Sequence, residues 1–256
     1  MSTLQQAFAI VETVVGRQAA GMTFAEVVAA TRTPKASAHR ILKELVAMGI
    51  LTFAPRTARY RGSLKLAGLG CQVTANLDLR TLGHPHLEAL HEATRHTAHL
   101  GVRDGDAGVY VDKIETPDYG IKLFSDVGKR FPLYCTAMGK VLMAFAKKEE
   151  RERFLARPAF DAITTKTITD PVKLREELAT VRKAGFALDR EEITRGVICV
   201  AAPIFGSPDD VVGAVSIAFP SYICSDRSIE AEIEAVRRHA AVISDALVKG
   251  QEDNAA

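Results

Sequence analysis

The feature that most limits the fold of this chain is one short helix with a polar front, in the segment TPKASAHRILKELVAMG at residues 33–49. Thr33 suits the N-cap, Pro34 suits the first helical position because it needs no N–H partner there, and Gly49 is a typical stop. At helical spacing, four apolar residues share one face of this helix and are predicted to be buried: Ala38, Ile41, Leu42 and Leu45. The outward face is polar and mostly basic, with Lys35, Ala36, His39, Arg40 and Lys43, and with Ser37 at the margin.

The segments around this helix predict a winged helix-turn-helix. LQQAFAIVETVV has the apolar spacing of a first helix that ends at Gly16, and Thr23 can cap a second helix, FAEVVAA. The turn TRT joins the second helix to the third, and ILTFA and ARYRG predict a hairpin around a Pro-Arg-Thr turn. Three helices with a tight turn before the last, followed by a hairpin, outline a DNA-binding domain.

Charge is divided unevenly along the chain. Residues 1–75 hold nine Lys and Arg against three acidic residues, a balance of +6, whereas the rest holds 24 Lys and Arg against 28 acidic residues, a balance of −4. A basic module joined to a mildly acidic one indicates a polyanionic partner, and double-stranded DNA is the natural one. A solvated helix face would also expose Lys and Arg, but the basic hairpin beside it favours DNA.

In this interpretation the third helix lies in the major groove of an operator, with its N-terminal side chains near base edges. The hairpin, as the wing, holds phosphates or reaches the minor groove. The predicted DNA-binding residues are Thr33, Lys35, Ser37, His39, Arg40 and Lys43 of the helix and Arg56, Arg59 and Arg61 of the wing.

The remaining chain predicts a second domain, which makes the protein α+β. We expect a winged-helix domain at residues 1–62, a linker helix at 63–76, the second domain at 77–250 and a disordered tail at 251–256. Strands are predicted at AHLGVR, AGVYVDKIE, YGIKLF, VICVAAPIF and VVGAVSIAF, and helices at HPHLEALHEATRHT, TAMGKVLMAFA, KLREELATVRKAG and SIEAEIEAVRRHAAVISDALV. Strands joined mostly by short turns, with helices interspersed, indicate an antiparallel sheet flanked by helices.

Composition excludes several classes of protein. Hydrophobic residues make up 47% and charged residues 25%, which is typical of a soluble globular protein. Apolar runs stay short of the ~18 residues of a membrane span, and a signal-peptide pattern is lacking, so we expect a cytoplasmic protein without a membrane partner. Four cysteines without a C-x-x-C pair predict reduced thiols rather than a disulfide framework or a structural zinc, and no cofactor is predicted.

Several motifs resemble one family. FPLYCTAMGKVLMA, GFALDREEITRGVICVAAPIF and VVGAVSIAFP closely resemble the effector-binding domain of the IclR family of bacterial transcription regulators, and TPKASAHRIL with RYRGSLKLAGLG resembles that family's winged helix and linker. The resemblance covers nearly the whole chain. It implies a regulator rather than an enzyme, expected here to be a repressor, that acts as a homodimer or homotetramer. It also implies a GAF-like C-terminal domain, with a curved antiparallel sheet, that binds a small carboxylic-acid effector.

The resemblance places the effector pocket at two groups of positions. The segment entering the TAMGK helix supplies Phe131, Leu133, Ala137 and Met138, and N–H groups at that helix start can hold a carboxylate. The sheet side supplies Asp189, Val197, Cys199, Ser216 and Ala218. Ala218 stands where organic-acid sensors of the family can carry a second serine, and Met138 where a small residue is possible. The pocket is therefore more apolar and favours a bulkier or aromatic acid.

Five histidines close together raise the question of a metal site: His84, His86, His91, His96 and His99. Only His96 and His99 have the i, i+3 spacing of one helical face, His99 is expected in a strand, and no cysteine accompanies them. The sequence therefore favours solvated or interface histidines, whose protonation near pH 6 can alter a subunit contact.

Two other functions remain open from the sequence. Cys199 with Asp189 could be a thiol nucleophile and its partner, but no histidine lies nearby in sequence, and ICVAAP is typical of a buried strand. The other alternative is an adaptor that retains the helix-turn-helix without using it, for which DNA binding would be absent or insensitive to salt. Arg32 also stands where the family often has a turn glycine, which predicts backbone strain if its φ is positive.

Overall fold

The computed structural model describes residues 2–75, 78–116, 123, 125–208, 210–223 and 226–255. The chain divides into two units, Met1–Thr74 and Ala75–Ala256. Within the described ranges, no helix is both long enough and apolar enough to cross a membrane.

The first unit consists of helices and a small antiparallel sheet. In chain order its elements are α1 (Thr3–Val15), β1 (Met22–Thr23), α2 (Phe24–Thr31), α3 (Lys35–Ala47), β2 (Leu51–Ala54), β3 (Arg59–Gly62) and α4 (Leu64–Ala75). The strands pair in the order β1-β3-β2. The hairpin of β2 and β3 and the helix of the linker lie where the sequence predicts them, whereas the two residues of β1 were too few to show a strand pattern.

Apolar side chains from all three helices of the winged helix close its core. The residues that share this core are Ile10, Val14, Met22, Val27, Ile41, Leu42, Leu45 and Leu51. Two helices begin with reciprocal capping boxes, in which Ser2 pairs with Gln5 and Thr23 with Glu26. These bonds satisfy N–H groups that the first turn of a helix leaves open, so α1 and α2 begin where the sequence predicts.

The turn between α2 and α3 differs from the prediction. Arg32 has a φ of 52°, the left-handed conformation that glycine adopts more easily, so the predicted strain is present. Thr33 is buried, and its hydroxyl is hydrogen-bonded to that of Thr31 at 2.9 Å. Pro34, rather than Thr33, occupies the N-cap position of α3. The prediction that Thr33 caps α3 was therefore wrong, because its side chain is held in the turn instead.

The second unit is an antiparallel sheet with helices on both faces. In chain order its elements are α5 (Asp78–Thr94), β4 (Thr97–Asp104), β5 (Ala107–Ile114), β6 (Arg130–Pro132), α6 (Ala137–Phe145), α7 (Lys148–Leu155), α8 (Pro171–Ala184), β7 (Ala187–Arg190), β8 (Val197–Ser207), β9 (Asp210–Pro220) and α9 (Asp226–Ala255). The strands of the described residues pair in the order β6-β5-β4-β9-β8-β7, each pair antiparallel.

Alternation along the strands separates two cores. Ala98, Val200 and Ile217 point to the face that α5 and α9 cover. Ala201 and Ala214 point to the opposite face, where α6 and α8 pack. Because neighbouring residues on a strand face opposite sides, Cys199, Ser216 and Ala218 lie on the α6 side.

The predicted α+β class is confirmed, with a helix-turn-helix unit and an antiparallel sheet flanked by helices. The strand predicted at YGIKLF, residues 119–124, lies outside the described residues except for Leu123. The sequence predicts a disordered tail at 251–256, whereas α9 continues through Ala255. Gln, Glu and Ala favour helix, and no proline follows Gly250 to stop it. The short strands β6 and β7 and the charged helix α7 were not predicted.

Gly139 lies where α6 passes closest to the segment that follows β6. A Cβ built on Gly139 would lie 2.5 Å from the Cα of Leu133 and 2.6 Å from the carbonyl oxygen of Pro132. Both neighbours are backbone atoms, so neither can rotate away. The glycine in the TAMGK motif is therefore required for the close packing of this helix start.

Gly139→Ala is expected to destabilise the protein by about 1–3 kcal/mol, because overpacking against backbone forces α6 to shift. Urea unfolding followed by circular dichroism measures this change. Gly68→Ala in α4 is the matched control, since no described atom lies within 4 Å of the added Cβ, and we expect unchanged or slightly higher stability. Equal stability of the two variants would contradict the packing argument.

Candidate DNA-binding face and effector cavity

The outward face of α3 carries the polar side chains that the sequence predicts. Lys35, His39, Arg40 and Lys43 are exposed and Ser37 is partly exposed, whereas the four apolar positions of the inner stripe are buried. A helix that presents one continuous polar and basic face has the dimensions and the donors needed to read base edges in a major groove.

The contacts made by Arg40 and His39 leave this face available. Arg40 Nη1 bonds Glu44 Oε1 at 3.0 Å, and both side chains are more than half exposed. Exposed pairs of this kind contribute only ~0–1 kcal/mol, so the guanidinium can exchange Glu44 for a base or a phosphate at low cost. The His39 ring packs edge-on to Phe24, with ring centroids 6.2 Å apart, which fixes its position on the helix.

The three arginines of the wing differ in their surroundings. Arg59 Nη1 donates to the carbonyl oxygen of Gly21 at 2.9 Å and to Glu26 Oε2 at 3.2 Å, and only a third of its side chain is exposed. Arg61 Nη2 donates to the carbonyl oxygen of Ala20 at 3.2 Å. Arg56 is exposed in the hairpin turn. Arg59 and Arg61 therefore hold the wing against the segment before α2. The sequence could not show this role, because the carbonyl groups that accept these bonds lie far from the two arginines in the chain.

The predicted sheet residues of the effector pocket lie on one face, in three successive rows of cross-strand pairs. Val197 of β8 is opposite Pro220 of β9. Asp189 of β7 is opposite Cys199 of β8, and Cys199 is opposite Ala218 of β9. Ser216 lies two residues away on β9, opposite His99 of β4. Strand register therefore brings together residues that are far apart in the sequence.

A cavity of about 180 Å³ opens beside these rows. Three predicted residues, Val197, Cys199 and Ala218, line it. The lining residues that sequence reasoning did not assign to the pocket are His99, Tyr110, Leu123, Ser125, Lys129, Arg130, Ile193 and Thr194. The volume is below the ~300–1,000 Å³ of sites for drug-sized ligands, so a ligand of this cavity is small.

The remaining predicted pocket residues do not line this cavity. Phe131, Leu133, Ala137 and Met138 are almost fully buried. Phe131 packs against Tyr110 with ring centroids 4.6 Å apart, and Tyr110 lies 5.2 Å from the His99 ring. Thr136 caps α6 by accepting a hydrogen bond from the Gly139 N–H at 3.0 Å. These residues support the wall, and direct contact between them and an effector stays a prediction.

Asp189 is an almost completely buried carboxyl group. Its Oδ1 accepts a hydrogen bond from the Glu192 N–H at 2.6 Å, and its side chain is hydrogen-bonded to the Cys199 thiol. Burial raises the pKa of Asp189 to about 7, and the nearby Glu192 carboxylate adds to the rise. Asp189 is therefore poised between its neutral and ionised forms near neutral pH.

Burial keeps the inner polar groups of the cavity uncharged. It lowers the pKa of His99 to about 3, with a further contribution from the nearby Lys113, and His99 Nε2 lies 2.7 Å from Ser125 Oγ. Burial also raises the pKa of Tyr110 and of Cys199. Because the thiolate is the nucleophilic form of cysteine, a raised pKa argues against Cys199 as a nucleophile.

Positive charge lies at the rim of the same cavity. Lys129 and Arg130 line the cavity and are exposed, and Arg130 also pairs with the exposed Asp104 at 2.5 Å. The cavity therefore offers neutral hydrogen-bonding groups inside and cations at its edge.

The histidine cluster divides among separate environments. His84 Nδ1 lies 2.6 Å from Asp112 Oδ2, His96 Nε2 lies 3.0 Å from Glu232 Oε1, and His99 faces the cavity. Of the side chains that the structure describes, no three or more of His, Cys, Asp and Glu are grouped so as to hold a metal ion. The histidines mostly join elements of the second unit to one another.

A winged helix-turn-helix with a polar third helix, followed by an α+β unit with an internal cavity, defines the class of DNA-binding transcription regulators that carry a second domain. The IclR helix-turn-helix domain model matches residues 3–55, and the bacterial transcriptional regulator IclR C-terminal model matches residues 71–245. The chain belongs to the IclR family, so it is a DNA-binding transcriptional regulator and not an enzyme.

Relatives and solved structures agree with this membership. The HTH-type transcriptional regulator KdgR of Dickeya chrysanthemi is 33% identical over 211 residues, which cover 82% of this chain and 69% of KdgR. The Thermotoga maritima IclR structure is 31% identical with a TM-score of 0.78, covering 96% of this chain and 98% of that one. An IclR homolog from Microbacterium hydrocarbonoxydans in complex with 4-hydroxybenzoate is 26% identical with a TM-score of 0.83, covering 96% and 99%.

Asp189→Asn is expected to change how the free energy of unfolding depends on pH. The folded pKa of about 7 exceeds the ordinary 3.8, so the stability that Asp189 contributes is present below pH 4 and is lost as pH rises toward 7. His99 acts in the opposite direction over part of this range, because its lowered pKa removes stability as pH falls below 6.5.

The difference between variant and parent isolates Asp189 from His99. Between pH 4.5 and pH 7.5 the variant should gain stability relative to the parent by a few kcal/mol, at no more than about 1.4 kcal/mol per pH unit. Urea unfolding at a series of pH values measures this difference. A difference that does not vary with pH would contradict the assignment.

Proposed function

We propose that this protein binds a pseudo-palindromic operator as a homodimer or homotetramer, and that a small organic acid in the cavity of the second unit controls this binding. The observation that carries the proposal is the cavity, which is uncharged and polar inside and has Lys129 and Arg130 at its rim. Cations at the rim favour a carboxylate, and neutral donors and acceptors inside favour a hydroxyl group or an aromatic ring.

The proposed DNA contacts are the exposed side chains of α3 and the tip of the wing. Lys35, Ser37, His39 and Arg40 read base edges, and Lys43 and Arg56 bind phosphates. Thr33, Arg59 and Arg61 hold the turn and the wing in place. A regulator seated on its operator excludes other proteins from the same grooves, so we propose repression as its action.

The proposed effector is a small aromatic or hydroxy acid. Support comes from the uncharged interior formed by His99, Tyr110 and Ser125 and from the volume of about 180 Å³. The related Microbacterium hydrocarbonoxydans protein binds 4-hydroxybenzoate, which combines a carboxylate, a ring and a hydroxyl group.

Self-association is supported by apolar side chains on the surface of the first unit. Leu4, Phe8 and Val15 of α1 and Leu64 and Leu69 of α4 are exposed. Exposed apolar side chains in such number indicate an interaction surface. Two recognition helices then engage together only if their separation matches the helical repeat of DNA, so an effector that favours one separation controls affinity.

Arg40→Ala is expected to weaken operator binding by about 1–3 kcal/mol, the contribution of one good base contact. Fluorescence anisotropy with DNA from upstream of the protein's own gene measures the affinity. Arg153→Ala is the matched control, because it removes an exposed arginine from α7 of the second unit. Equal operator affinity of the two variants would remove Arg40 from the contacts.

Small carboxylic acids, including benzoate, 4-hydroxybenzoate and glyoxylate, are expected to differ in how far they raise the melting temperature of the full chain. An acid at 100 times its Kd stabilises the folded state by about 2.7 kcal/mol. The acid that stabilises most should also change operator affinity, and Ser125→Ala should weaken its binding up to about tenfold through one lost hydrogen bond. The absence of any stabilising acid would contradict the proposed effector class.

A further inference from the structure

The second unit contains a larger cavity, of about 430 Å³, whose described lining residues are all different from those of the effector cavity. It lies among α6, α8 and β7. Ile168, Val181 and Phe186 belong to its apolar wall, and Lys140, Glu177 and Glu192 form its polar end. The regulatory function proposed above does not use this cavity.

Lys140 is a buried cation whose hydrogen-bonding capacity is fully used. Its side chain is 1% exposed, and Nζ donates to Glu177 Oε1 at 3.1 Å, to Glu192 Oε1 and to the carbonyl oxygen of Leu188 at 3.0 Å. An ammonium group has three N–H donors, and all three are engaged. Lys140 therefore has no donor left for a ligand, and this end of the cavity can offer acceptors only.

Glu192 provides the main acceptor. The residue is 5% exposed, its Oε1 is bonded to Lys140, and its Oε2 is buried without a hydrogen-bond partner among the described residues. A buried carboxylate oxygen without a donor is unfavourable, so each such atom in a folded protein calls for an explanation. Burial also raises the pKa of Glu192, while the charge of Lys140 and its hydrogen bond act in the opposite direction.

The local charges decide what kind of donor fits. Glu177 and Glu192 together exceed Lys140 by one negative charge. At the rim, Lys166 is paired with Glu191 at 2.5 Å, and the exposed Arg190 also lines the cavity. The excess of negative charge is therefore confined to the buried end. A ligand that satisfies Glu192 Oε2 there must bring an N–H donor, a positive charge balances the excess carboxylate, and a short apolar chain covers the wall.

We propose that this cavity is a binding site for small primary ammonium compounds. The ammonium group donates to Glu192 Oε2 and to Glu177, and the alkyl chain packs on Ile168 and Phe186. The site is independent of the effector cavity, so an amine and an acid can be bound by one chain at the same time.

Isothermal titration calorimetry of the full-length protein with butylammonium tests the proposal. We expect saturable binding of one butylammonium per chain. Tetramethylammonium has the charge without N–H donors, and butyrate has the chain with the opposite charge. Both should bind at least about tenfold more weakly, because a charge-assisted hydrogen bond is lost. No saturable binding of butylammonium, or equal binding of tetramethylammonium, would overturn the proposal.

Two variants test the assignment of the acceptors. Glu192→Gln keeps a carbonyl oxygen for Lys140 but places an NH₂ group where the free carboxylate oxygen was, so butylammonium affinity should fall at least about tenfold. Glu177→Gln changes a partly exposed residue and should also weaken butylammonium binding. If thermal unfolding shows that Glu192→Gln does not fold, the affinity of Glu177→Gln tests the site instead. Glu176→Gln, an exposed residue of α8 that does not line the cavity, is the matched control that should bind butylammonium as the parent does. Equal affinity of the parent and the folded Glu192 and Glu177 variants would refute the site.

Discussion

The pairing of β8 with β9 is the constraint on which the second unit depends. The two strands are 11 residues long and pair almost throughout, from Val197 opposite Pro220 to Ser207 opposite Asp210. Because side chains alternate, the register that buries Val200 and Ile217 beneath α9 also sets Cys199 and Ala218 on the opposite face. A slip of one residue would exchange the two faces, so the core and the cavity wall are specified together.

Periodicity predicted the long elements well, for a physical reason. In α3 the four apolar positions of the predicted inner stripe are buried, and the predicted polar positions are exposed or at the margin. Thr33, which precedes the helix, is the exception because it turns inward. The sequence also predicted the strands of eight to eleven residues, because their polar and apolar residues alternate or because they are apolar over their whole length. The strands β6 and β7, of three and four residues, are too short to show a period and depend on neighbouring strands for their hydrogen bonds.

The site was predicted less completely, because the missing residues are defined by register and not by sequence pattern. His99 reaches the cavity because β4 pairs with β9, which sets His99 opposite Ser216. Ser125 lies there because its hydroxyl is hydrogen-bonded to His99. No local sequence motif reveals either position. In the same way the role of Arg59 depends on the carbonyl of Gly21, 38 residues earlier in the chain. Residue type indicated what these side chains can do, and only the pairing of strands showed where they do it.

The loop between β7 and β8 contributes to both cavities. The Glu192 N–H bonds Asp189, its carboxylate bonds Lys140, and Ile193 and Thr194 line the effector cavity. Glu191 before it has a φ of 66°, a conformation that persists because its side chain bonds Lys166 and accepts from the Gly196 N–H at 2.9 Å. This loop is therefore held by hydrogen bonds on both of its sides, to Asp189 and to Lys140.

Acid binding and protonation of Asp189 are linked under the proposed function. With a pKa of about 7, Asp189 is present in both forms near neutral pH. An effector carboxylate beside it adds negative charge and raises that pKa further, so the acid binds better to the neutral form and takes up protons as it binds. His99 cannot offset this, because its pKa of about 3 keeps it neutral throughout. Asp189 does not line the cavity, but it is hydrogen-bonded to Cys199, which does. An effector whose carboxylate lies at the rim, away from Cys199, should therefore bind with little dependence on this titration. The pH dependence of affinity shows whether the effector carboxylate lies near Asp189.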